Sequence, residues 1–167
     1  APDLLDALGV DIMGVGGPRN MFGFRNEDWK PWTLFDGTPV LAGVYQGDVD
    51  FGGGSVLASP TSQLFVTSLG TTDSGRWALG AGSGMTFSGP HLAIDANDNT
   101  FVFVDGRGGT LALGGDMYTG TMKNAAYLAK IGGNGAPVWS RSFSSTEFVY
   151  AQNVAADVSD GTSVYIA

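Results

Sequence analysis

The stretch Asp36-Gly37-Thr38-Pro39-Val40-Leu41 comes back as Asp98-Asn99-Thr100-Phe101-Val102-Phe103, and again as Asp160-Gly161-Thr162-Ser163-Val164-Tyr165. The copies open at positions 36, 98 and 160, so the two steps are equal, each an offset of 62. Each copy reads as a tight turn that feeds an apolar strand. Asp initiates the turn, Gly or Asn accepts a positive φ, and a β-branched or aromatic residue opens the strand. Recurrence at a fixed spacing of this length is the mark of a repeat architecture and comes before any single element.

With the register held at that offset, other positions fall into line without gaps. Gly52-Gly53 matches Gly114-Gly115, each after an apolar residue, Phe51 or Leu113. Phe65-Val66 matches Tyr127-Leu128, Leu69-Gly70 matches Ile131-Gly132, and Trp77 matches Trp139. Ala93 and Asp95 match Ala155 and Asp157. So many pairs at one offset, the two Trp residues among them, define units at 36–97 and 98–159. An N-terminal segment, 1–35, precedes them as a partial blade, and 160–167 forms the first strand of a further unit.

The string Gly47-Asp48-Val49-Asp50-Phe51-Gly52-Gly53-Gly54 resembles the turn of bacterial β-propeller repeats of the SBBP type. The spacing that follows it is similar to theirs too: Phe65-Val66, Leu69, Trp77, Ile94-Asp95, then a turn before Val102. The resemblance covers roughly 36–167. It implies a four-stranded blade per repeat and a secreted or cell-surface setting in bacteria, and it implies no shared catalytic residues. In the second unit Thr110-Leu111-Ala112-Leu113 stands where the first has Asp48-Val49-Asp50-Phe51, so the two carboxylates are not repeated.

Composition agrees with a turn-rich all-β chain. Hydrophobic residues make up 43% and charged residues 14%, which is apolar enough to bury a core and too lightly charged for disorder. The 27 Gly residues among 167 follow no Gly-X-Y period, so they mark turns. Of the 16 acidic residues 14 are Asp and two are Glu, and Asp favours turns where Glu favours helix surfaces. A net charge of −8, with only eight scattered Lys and Arg, argues against nucleic acid and anionic membranes. The absence of Cys removes disulfides, thiolate metal sites and thiol catalysis. No apolar run approaches the roughly 18 residues of a membrane span.

Along the chain, 2–8 suits a short helix, with Leu4, Leu5 and Leu8 on one face and Gly9 as C-cap, its rival being a strand of an incomplete first blade because 3–8 aligns with 65–70 at the same offset, and 10–15 reads as a strand. Strands are expected at 40–45, 64–69 and 76–79, the last two as a hairpin, with a loop at 47–54 and a Gly/Ser-rich connection at 80–89. A strand at 91–96 closes in the Asn97-Asp98-Asn99 turn. The second unit repeats this with 101–105, 126–131, 138–143 and 148–156. Four strands per repeat unit is the rhythm of a propeller blade. The expected fold is therefore all-β, with β-propeller-like blades of four antiparallel strands and an incomplete ring. Completion would come from a longer polypeptide or from copies of the chain assembling through their terminal strands. Trp77 and Trp139 should occupy equivalent, largely buried places.

Candidate chemistry is thin. Trp29, Trp32 and Arg25 lie in the least repetitive segment, 21–32, where aromatic and cationic residues mix as in sugar and protein binding sites. The competing reading makes those aromatics core plugs. Asp95, Asn97 and Asn99 offer alternate oxygens as the start of a calcium loop does, though the later Gly and bidentate Glu of an EF-hand are missing. A hairpin turn accounts for them without a metal. Asp48 and Asp50 are a second carboxylate pair, read as part of a solvated loop. His91 is the only histidine, and its counterparts one unit away are Trp29 and Asn153, so no repeated geometry calls for imidazole. No Gly-x-Ser-x-Gly elbow is present, and the Gly runs 52–54, 80–84 and 106–109 lack the Walker pattern. The sequence thus points to a non-enzymatic secreted or cell-surface module with a structural role or a protein or glycan partner. Its rivals are a lectin-like carbohydrate-binding module and a hydrolase or lyase on a propeller scaffold. No cofactor is expected beyond calcium.

Overall fold

Thr100-Phe101-Val102-Phe103-Val104 is apolar or β-branched at every position, the pattern of a strand covered on both faces. The computed structural model bears this out and places the strand at the centre of what it describes. Residues 39–51, 56–69, 75–157 and 163–167 are described, all within one unit spanning 31–167. Regular structure among them is entirely β, every ladder is antiparallel, and no sheet closes on itself. The expected helix at 2–8, the strand at 10–15 and the aromatic segment 21–32 lie outside the described residues.

Strands β1 (Val40–Asp50), β2 (Val56–Leu69) and β3 (Gly75–Ala81) form the first sheet in chain order. The second sheet holds β4 (Thr86–Phe87), β5 (His91–Ile94), β6 (Thr100–Arg107), β9 (Ala125–Ile131) and β10 (Pro137–Phe143). In it β5 and β4 share one side of β6, and β9 then β10 lie on the other. A separate hairpin, β7 (Thr110–Leu113) and β8 (Asp116–Thr119), joins β6 to β9 and turns at Gly114-Gly115. Both glycines have positive φ, 71° and 97°, as a primed hairpin turn demands. Strands β11 (Val154–Ala156) and β12 (Val164–Ile166) pair with each other.

The β2–β3 ladder, with both strands advanced by one repeat unit, is the β9–β10 ladder. Leu64 opposite Ala81 becomes Ala126 opposite Phe143, and Ser68 opposite Trp77 becomes Lys130 opposite Trp139. Even the bulge carries over, since Leu69 opposite Gly75 becomes Ile131 opposite Pro137. The turn that decided the sequence reading behaves differently. Val40 lies opposite Ser68, but Val102 lies opposite Ala129, and it is Phe101 that meets Lys130. The strand after the turn is therefore matched one position short of the sequence spacing. Because side chains alternate, a slip of one exchanges the two faces.

Faces then explain the core. Val40, Ala42, Leu64 and Val66 of the first sheet pack with Trp77 against Leu92, Val102, Val104, Tyr127, Ala129 and Ile131 of the second. The opposite face of the second sheet, Phe101, Phe103, Ala126, Leu128 and Trp139, is covered in turn by Ala151, Val154, Ala156 and Val164. By pairing, Phe101 and Phe103 are the counterparts of Val40 and Ala42, so the same face points forward each time. Trp77 and Trp139 are equivalent in register and face, and each is partly buried and packed against a core cluster. The Trp77 indole N–H donates to the Gly133 carbonyl at 3.0 Å, tying the first sheet to the β9–β10 turn.

Three further expectations need correction. The loop expected at 47–54 is strand as far as Asp50, and β2 resumes the ladder from Val56 after a bulge between Tyr45 and Gly47. The extra residues are on β2, where 60–62 face Gln46 alone, and Gly47 at φ 90° adjoins the shift, so one hairpin continues where two elements were expected. The Gly/Ser-rich connection carries the short β4. The strand expected at 148–156 is regular only from Val154; before it the chain lies outside the ladders.

Candidate functional site

The two buried aspartates of the second sheet sit at opposite ends of β6. Asp95 precedes it across the hairpin turn. Asp105 lies five residues along it from Thr100, roughly 17 Å at about 3.3 Å per residue.

The Asp95 end is a closed hydrogen-bond knot. Oδ1 accepts the Asn97 and Asn99 backbone N–H groups, each at 2.9 Å, and the Asn99 amide reaches both oxygens at 3.0 and 2.8 Å. The Lys130 ammonium stands 3.0 Å from Oδ2 and 5.1 Å from the Phe101 ring centre. Burial pushes the Asp95 carboxyl up, but the Asn99 amide and N–H, Lys130 and the Asn97 N–H outweigh it and hold it below the ordinary value. Asp98 takes the left-handed conformation, φ 61°, that the turn requires. Asp95, Asn97 and Asn99 are thus brought together as the sequence suggested. The groups aimed at the carboxyl are N–H donors, and its positive partner is an ammonium. A calcium ion would have to displace Lys130, and among the described residues no group of three His, Cys, Asp or Glu gathers as metal ligands.

The Asp105 end is built to hold another segment. Phe101, Phe103 and Asp105 alternate onto one face of β6, so the carboxyl enters the space beneath 149–151 and is 1% exposed. Its Oδ2 accepts the Ser88 hydroxyl at 2.9 Å and the Asn124 amide at 2.7 Å. Its Oδ1 accepts the Ala151 backbone N–H at 3.2 Å. His91, opposite Phe103 on the same face, is half-buried. Burial lowers its imidazole below the ordinary value, while a hydrogen bond with the Ala151 backbone and the Asp105 charge pull the other way.

Those bonds make a strap of 144–153. The Asn124 carbonyl accepts the Val149 N–H at 3.1 Å, and the Gln152 N–H reaches the Ala167 carbonyl at 2.8 Å. Lys123 bonds the Thr146 carbonyl and pairs with Glu147 at 3.3 Å. Val149 and Ala151 turn into the core, so Phe148 and Tyr150, which alternate with them, turn out. Phe148 and Tyr150 are 49% and 53% exposed, with ring centres 6.1 Å apart and planes 16° from parallel. The result is an aromatic pair on the surface, fixed from below by a carboxyl and by backbone bonds to Asn124 and Ala167.

Of the residues singled out from sequence, Trp29, Trp32 and Arg25 fall outside the described residues. Asp48 and Asp50 are exposed on β1, on the same side of the strand. Ser88, Asp105, Asn124, Phe148 and Tyr150 were not anticipated. Phe148-Val149-Tyr150-Ala151 is apolar or aromatic at every position and reads as core. Asp105 did leave a signal, an acid closing an apolar run that must be buried on both sides.

Comparison of the chain with protein-family models, with curated proteins and with solved structures finds no match. No helix among the described residues is long and apolar enough to cross a membrane.

Proposed function

We propose that this chain is a non-catalytic binding module made of propeller-type blades, working outside the cell or on a bacterial surface, with a protein or glycan as ligand. The observation that carries the binding role is the strap. A buried carboxyl with three donors on it holds Val149 and Ala151 inward and so displays two aromatic rings in fixed geometry. Rings immobilised before the ligand arrives cost little entropy on binding.

The blade reading is supported by the transposed β2–β3 ladder and by the forward-facing packing of successive sheets. The setting rests on the resemblance to bacterial propeller repeats. Binding fits better than hydrolysis because the Ser88 hydroxyl gives its proton to Asp105, where a Ser/His/Asp nucleophile would give it to the imidazole.

The test immobilises the wild-type chain and the double variant Phe148→Ala/Tyr150→Ala. Each is exposed separately to the protein and polysaccharide fractions of bacterial surface material. Retention from at least one fraction that drops with the rings removed is the expected result. Equal retention by both forms would end the proposal.

A further inference from the structure

We infer that Phe148 and Tyr150 form a stacking platform for a neutral glycan. This rests on the binding-module reading and narrows its ligand to one class. A pyranose ring has an apolar face of C–H groups and a rim of hydroxyls. It therefore needs flat aromatic surface next to uncharged hydrogen-bonding groups, and this surface supplies both.

The rings are half exposed, nearly parallel, and belong to alternate positions of a segment whose burial alternates with them. The next residue in the same alternation is Gln152, exposed, and Asn153 follows it, also exposed. Preceding the rings are Ser145, Thr146 and Glu147, all exposed. Along the strap itself the aromatic pair therefore has polar neighbours, while Phe143, Met122 and Ile166 on the stretches that adjoin it are also exposed.

Local charge selects against ionic ligands. The chain carries −8 overall, which repels anions. The cation on the strap's flank, Lys123, is engaged with the Thr146 carbonyl and Glu147. That same pair occupies Glu147, and Asp105 is buried beneath the strap with three donors. Neither carboxyl is offered to a cationic ligand. What the surface presents is ring faces, amides and hydroxyls.

The experiment is affinity electrophoresis of the full chain through gels containing dextran, a β-1,4-glucan, mannan or galactan, followed by calorimetric titration with oligosaccharides of whichever polymer retards it. Retardation by at least one polymer is expected, with affinity unchanged between low and high salt because no ions are exchanged. Phe148→Ala and Tyr150→Ala should each weaken binding at least tenfold. Tyr150→Phe, which keeps the ring, should stay within about threefold of wild type. All variants are first checked for wild-type melting temperature, because both rings are surface groups. Absence of retardation by all four polymers overturns the glycan inference. Ring-dependent retention of surface protein alongside that absence would leave the binding module standing with a different ligand. Retardation that survives both alanine substitutions overturns the platform itself.

Discussion

Replacing Asp105 with Ala would test whether the strap is held from below. The side chain is 1% exposed and accepts three hydrogen bonds. Ser88 is exposed and Asn124 partly so, and their donors can turn to water when the carboxyl is gone. The Ala151 N–H is buried and has no such recourse, and an orphaned buried donor costs about 1–3 kcal/mol. Adding about 0.5 kcal/mol for each of the other two bonds, whose donors rehydrate, gives a loss of about 2–4 kcal/mol in holding the strap. If that loss appears as local opening, the open population rises roughly 30- to 800-fold, at about tenfold per 1.4 kcal/mol. Chymotrypsin cleaves after Phe and Tyr, so cutting at Phe148 and Tyr150 should quicken in proportion, since cleavage follows the open population when reclosing is fast. Amide exchange at Ala151 and Val149 should quicken with it. Asp105→Asn should change far less, because the Ser88 hydroxyl and the Asn124 amide can both reverse to accept. Exchange at Ala151 in Asp105→Ala within threefold of wild type would show that the carboxyl does not hold the strap.

Three other outcomes are expected. Because His91 titrates below 6.5 in the folded chain, the unfolded chain takes up more protons as pH falls through 6.5. Stability is then full above that pH and declines below it, and His91→Phe should lack this component in urea titrations across pH 5–7. Asp95 is also depressed, so its contribution is full above the ordinary carboxyl range near 4 and is lost only as pH falls through its folded value. Lys130→Met, by stranding that buried carboxyl, should cost about 3 kcal/mol in urea unfolding, with Asp95→Asn/Lys130→Met costing less than the single change. Gly135→Ala would put a methyl 2.6–2.9 Å from the Trp77 side chain at a φ of 82°, costing about 2–4 kcal/mol, and much less in a Trp77→Ala background.

Much of this architecture is local and therefore written in the sequence. Turns at Asp95–Asn99 and Gly114-Gly115, the continuous apolar run of β6, and hairpins that recur one unit apart all depend on neighbours within a few positions. The sequence alone determined an all-β chain with a recurring hairpin, and it placed Asp95, Asn97 and Asn99 in one hairpin turn. It did not determine the strand register after the repeated turn. Pairing is set by which face of β6 the flanking sheets cover, and that moved the match by one position, from Val102 to Phe101 as the counterpart of Val40. Nor did it reveal the strap. Phe148-Val149-Tyr150-Ala151 alternates whether it lies in a sheet or across one, and only the arrival of Ala151 over Asp105 decides which. The Asp105 cluster draws on Ser88, His91, Asn124 and Ala151, from separate stretches of chain. No periodicity links such positions. They meet because the second sheet has two buried faces, and a polar group on the second of them needs partners brought from elsewhere in the fold.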